Sequence, residues 1–165
     1  MKHLNFFILG IISITTLAAS CKKNKEPDPN SFYFQCKING QLYVPNGCAN
    51  CMSGKLLGDT TFLINGNAGF ASIAIGVINV TGLQITTTTY ILNDNPRYGG
   101  DYKNSTITDD IFNTDANHIG ELKITSLDNA KRIIIGTFYF KAYNAYRNDS
   151  VSITDGKFRL QYSTN

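Results

Sequence analysis

Four cysteines, two histidines and a scatter of loop carboxylates are the residues of this 165-residue chain best suited to chemistry. Cys21 ends the stretch Leu17-Ala18-Ala19-Ser20-Cys21, which follows an apolar run from Phe6 to Ile14. That run falls well short of the ~20 residues a membrane-spanning helix needs. With the positive start Met1-Lys2-His3 and small residues before the cysteine, it has the pattern of a removable export signal. A cysteine at the first mature position is a lipidation site. Ala18 stands where a lipobox usually carries leucine, and Leu17 lies one place earlier. A diacylglyceryl thioether plus an N-acyl group such as palmitate supplies several acyl chains, whereas a single chain binds a membrane only marginally.

The other three thiols are Cys36, Cys48 and Cys51. Export exposes them to an oxidising compartment, where pairing is the first expectation. Cys48-Ala49-Asn50-Cys51 has redox-motif spacing, but thioredoxin-like chemistry places such a pair at a helix N-terminus in a βαβ context. The chain shows no such context. Zinc could recruit Cys36, Cys48, Cys51 and His118, yet only one C-x-x-C is present. The expectation is therefore a structural disulfide that steadies the 45–58 loop and leaves one thiol over, with no metal. A bridge inside Cys48–Cys51 constrains little, whereas one from Cys36 to either closes a loop of about fifteen residues, worth ~3 kcal/mol in the chain-entropy model.

His118 is the single histidine left after the signal, at the start of a strand beside Asn117. No G-x-S-x-G, H-E-x-x-H or P-loop pattern occurs. Asp94, Asp101, Asp109, Asp110 and Asp115 lie in polar stretches between 94 and 115. They offer oxygen ligands for calcium without the EF-hand spacing, or an acid and base for a small envelope hydrolase. The nine tyrosines are the compositional outlier, in a chain with no tryptophan. Tyrosine joins apolar area to a polar tip and suits a protein or glycan partner. Tyr139 and Tyr143 share one face of the strongest strand, opposite Phe138 and Phe140, and are the candidate binding surface.

The elements that must position these residues are strands. After Ser31 no sustained 3.6-residue apolar period appears; alternation recurs, with β-branched and aromatic residues between turn signals. Lys22 to Ser31 (KKNKEPDPNS) is linker composition stiffened by Pro27 and Pro29, with a reach of at most ~33–36 Å. Its lysines are suited to lipid headgroups. Phe32–Ile38, Asn39-Gly40 and Gln41–Val44 read as a type I′ hairpin. Thr60–Ile64 is a strand and Asn65–Gly69 a turn. Phe70–Val80, apolar on both faces, is a central strand. Leu83–Leu92 is β-branched and extended, and 93–117 are long loops around one short strand near Tyr102. His118–Leu127 turns Leu122 and Ile124 inward. Lys131–Tyr143 buries Ile134, Phe138, Phe140 and Ala142, and Gly136 marks a bulge. Val151–Thr154, Asp155-Gly156 and Lys157–Tyr162 read as a last hairpin, with Phe158 and Leu160 in the core.

The expected fold is all-β: an antiparallel β-sandwich or open β-barrel of about nine short strands. The expected division is a signal peptide at 1–20, a lipidated cysteine and flexible tether at 21–31, and one β domain at 32–165. A net charge of +3, thinly scattered, gives no nucleic-acid footprint.

Two segments carry a resemblance. Gly136-Thr137-Phe138-Tyr139-Phe140 with Val151-Ser152-Ile153-Thr154-Asp155-Gly156-Lys157-Phe158 is similar to the C-terminal signature of small Bacteroidetes-type lipoproteins of unknown function. Phe34-Gln35-Cys36-Lys37-Ile38-Asn39-Gly40 and Gly120-Glu121-Leu122-Lys123-Ile124-Thr125 extend it. The family usually has tryptophan just after the Asn-Gly turn, where this chain has Tyr43. The resemblance implies a lipid-anchored β domain and brings no catalytic residues. The expected function is a non-catalytic binding or envelope-structural domain, without cofactor, held to the outer membrane through Cys21.

Overall fold

The computed structural model describes residues 27–28, 30–45, 50–79, 82, 84–93, 97–104 and 110–164. Asn39 and Gly40 both take positive φ, 48° and 82°, as a type I′ turn requires. They join β1 (Tyr33–Ile38) to β2 (Gln41–Tyr43). The remaining strands are β3 (Met52–Leu57), β4 (Thr61–Ala68), β5 (Ala71–Ile78), β6 (Thr89–Leu92), β7 (Tyr98–Asn104), β8 (Ile111–Asn113), β9 (Gly120–Asp128), β10 (Ile133–Asn144) and β11 (Asp149–Thr164). The described residues are all-β, and they include no helix long and apolar enough to cross a membrane.

The strands form a single sheet in the order β2-β1-β11-β3-β4-β5-β7-β8-β10-β9-β6, and β10 also pairs with β11. That extra pairing closes a ring through β11, β3, β4, β5, β7, β8 and β10, from which β1–β2 and β9–β6 branch. The ring is thin where β8 meets β10 through Tyr143 and Asn113 alone, and where β11 meets β3 in parallel over three residues. It is barrel-like without being a clean barrel.

Inside, phenylalanines from the β1–β11–β10 wall cover glycines. A Cβ on Gly66 of β4 would lie 2.6 Å from the Phe34 ring, and one on Gly100 of β7 would lie 2.9 Å from Phe140. Phe34, Phe138 and Phe158 pack in sequence, with centroids 5.2 and 6.3 Å apart. Phe138, Phe140, Phe158 and Leu160 are all buried, as expected of the core centre.

Several boundaries differ from expectation. The Asn65–Gly69 turn shrinks to Gly69-Phe70, because β4 pairs with β5 as far as Ala68↔Ala71. Among the described residues of 83–92, the strand is the four-residue β6. The described residues of 93–117 form two strands, β7 and β8, where one was expected, and the 45–58 loop contains β3. The described residues form eleven strands, and β10 and β11 run to 12 and 16 residues.

The largest correction is at Asp155-Gly156, which is no hairpin turn. β11 passes straight through it, and the hairpin lies between β10 and β11. There Asn144 Oδ1 accepts the Tyr146 and Arg147 amides and Asn148 takes positive φ. Asp155 is the extra residue of a bulge: Phe138↔Gly156 steps to Phe140↔Ile153 on one side, and Gln35↔Lys157 to Lys37↔Thr154 on the other. Gly136 does sit beside a bulge, with the extra residue on β9, where Ile135↔Ser126 steps to Gly136↔Ile124.

Candidate functional site

The Asp155 bulge lies at a concavity on the sheet surface. A bulge bends its strand and increases the local twist. Here the bent strand is flanked by β1 and β10, so its outer face dips into a groove of about 610 Å³. Asp155 sits at φ 53°, a conformation that Asp tolerates better than most residues. Gly156 is needed beside it, since a Cβ would meet the Phe138 carbonyl oxygen at 2.5 Å.

Sheet register places the lining in two rows. Gln35, Lys157 and Thr137 lie side by side on β1, β11 and β10. The adjacent row runs from Leu42 through Lys37 to Asp155, then to Tyr139 and Glu121. Lys37 Nζ lies 2.8 Å from Asp155 Oδ2. That ammonium is the main reason the Asp155 carboxyl is held below its ordinary 3.8. Tyr139 is 52% exposed and Leu42 51%, so the row has apolar surface near both ends.

Cys36 lies at the groove floor and faces the core. It is a free thiol, and burial pushes its pKa up to about 12. In this structure Cys36 takes no part in the expected bridge: its side chain is buried, at the position opposite Tyr43 on β2. Cys51 is disulfide-bonded. Cys21 and Cys48 lie outside the described residues.

Tyr143, the second tyrosine of the expected surface, does not join Tyr139 in the groove. Its ring stacks on His118 at 4.7 Å and 6°, and its hydroxyl donates to Asn148 Oδ1 at 2.8 Å. Asp115 Oδ1 accepts the Asn117 and His118 amides at 2.7 Å, and His118 Nδ1 lies 2.9 Å from both carboxylate oxygens. The His118 hydrogen bond is the main reason the Asp115 pKa is lowered.

The other acids are dispersed. Asp110 is buried and ion-paired with Arg147. Asp101 lines a separate pocket of about 190 Å³ with Arg97, Tyr98 and Thr114. Asp94 and Asp109 lie outside the described residues. Among the described residues no three His, Cys, Asp or Glu side chains converge as a metal site. Sequence reasoning missed Lys37, Glu121 and Asp155 as one site. Its signal was Asp155-Gly156 set inside otherwise alternating residues.

The chain matches the family described as Domain of unknown function (DUF6252) over residues 30–160. It is a member of the DUF6252 family. No curated protein and no solved structure matches it. The DUF6252 match includes β1, β9, β10 and all of β11 through Leu160, and so every groove residue.

Proposed function

We propose that this DUF6252 protein is a lipid-anchored envelope protein whose β domain binds a ligand and does no chemistry on it. Residues 1–20 are a lipoprotein signal peptide, Cys21 carries the lipid, 21–31 form the tether, and the protein resides at the outer membrane. The observation that carries the binding role is the groove over β1, β10 and β11, built on a bulge and lined by half-buried and exposed polar side chains and Tyr139. The anchor is supported by Leu17-Ala18-Ala19-Ser20-Cys21 after a short apolar run and by the resemblance to small Bacteroidetes-type lipoproteins. A hydrolase using the 94–115 acids has less support: Asp110 is taken up by Arg147, and Asp115 by His118 and two amides.

Fractionation of cells expressing Cys21→Ser tests the anchor. The wild type is expected in the membrane fraction, and the variant in the soluble fraction, unprocessed at Ser20. A variant that stays with the membranes and is still cleaved after Ser20 would sink the lipoprotein assignment.

A further inference from the structure

We propose that the β1/β10/β11 groove is the seat of a neutral oligosaccharide, a ligand class that rests on the binding role above. Its floor is the middle of a sheet: β11 pairs with β1 on one edge and with β10 on the other. Along that floor an extended peptide therefore has no free strand edge to extend with main-chain hydrogen bonds, and the terminal strand β2 reaches the groove only through Leu42 and is three residues long. Recognition must come from side chains.

Those side chains balance in charge. Lys37, Asp155 and Glu121 share one row and Lys157 stands in the other, two cations with two carboxylates. A site with equal numbers of cations and carboxylates projects little net field, so it does not recruit polyanions or polycations by steering. It does interleave strong donors with strong acceptors, and Gln35, Thr137 and Thr154 add groups that serve as both. A sugar hydroxyl is likewise one donor and two acceptors, so a polyhydroxylated neutral chain matches this alternation. The half-exposed Tyr139 ring supplies the apolar platform on which a sugar's C–H face rests.

Shape agrees with chemistry. The row from β1 through β11 and β10 to β9 spans three strand spacings, about 14 Å, which suits an oligosaccharide better than a single ring. The site is also built into the sheet, because the bulge at Asp155 bends the paired strand β11, and preorganisation lowers the ordering cost of binding.

The test uses the full-length mature lipoprotein in a detergent without sugar headgroups. It is titrated with neutral tetrasaccharides of glucose, galactose, mannose and N-acetylglucosamine, and in parallel with an extended-peptide library and anionic phospholipid vesicles. At least one saccharide is expected to bind saturably, with an affinity that changes little with salt. Tyr139→Ala should weaken it about tenfold or more, and Tyr139→Phe, which keeps the ring, should recover binding. Tyr146→Ala, outside the groove and 88% exposed, should change nothing. Peptide or vesicle binding lost in Tyr139→Ala, with no saccharide bound, would overturn the oligosaccharide and leave the binding role standing. No saturable binding of any of the three probes would overturn both.

Discussion

Phe140 shows how one side chain holds several strands together. It is 1% exposed, and its ring covers Gly100 of β7, while a Cβ on Gly120 of β9 would lie 2.1 Å from its own Cβ. Removing the ring leaves a cavity over Gly100, which carries no side chain to fill it. Phe140→Ala is expected to cost ~3–5 kcal/mol, a large share of a domain's ~5–15 kcal/mol. The urea midpoint should drop accordingly, and a loss under ~1 kcal/mol would contradict this packing. Cys36 is a contrasting residue: buried, with a raised pKa, it is a small core side chain and no nucleophile, since the thiolate is the reactive form.

At the scale of the element, the bulge in β11 decides what faces where. Before it Val151 and Ile153 point inward; after it Gly156, Phe158, Leu160 and Tyr162 do. One extra residue thus exchanges the odd and even faces and leaves Asp155 outside, against Lys37. Because Asp155 has a depressed folded pKa, its contribution is fully present above the unfolded value and is lost as pH falls through the folded one. Asp155→Asn keeps a residue tolerant of positive φ and removes the charge. The stability gap between wild type and Asp155→Asn should therefore be constant from neutral pH down to about pH 5 and close below the ordinary 3.8. Equilibrium urea titrations across that range check it; a gap that widens on acidification would reverse the sign. The gap itself should be small, because the pair is exposed and solvent-screened.

For the whole molecule, the last strand is the hub. β11 pairs with β1 near the start of the domain, with β3 and with β10, so the ring closes only when the C-terminus is in place. Contacts this distant in sequence carry loop-closure entropy that local turns cannot repay early in folding. A chain ended after Thr154 loses the pairings of Gly156 to Thr164 with all three neighbours. It is expected to show no cooperative urea transition and no near-ultraviolet circular dichroism. A cooperative transition in the truncated chain would mean that β4, β5 and β7 form an independent core.

Local chemistry alone determined the all-β class, the Asn39-Gly40 turn and the inward faces of β9 and β10. A two-residue period in β-branched and aromatic residues, with glycine where φ is positive, leaves few alternatives. The same period named Phe138, Phe140, Phe158 and Leu160 as the core. Tertiary structure alone decided whether Asp155-Gly156 reverses the chain or bulges it, because both devices shift the alternation by one residue. The choice rests on β10, which is 12 residues long and needs a partner of matching length, and such a partner exists only if β11 runs through. Likewise β3 and β7 are poor strands by composition, carrying Gly54, Gly99 and Gly100. They are strands because β4, β5 and β11 offer them edges and Phe140 needs the space beside Gly100. The groove follows from the same choice: Lys37, Glu121, Tyr139 and Asp155 are scattered in sequence and become one surface only when β1, β9, β10 and β11 lie side by side.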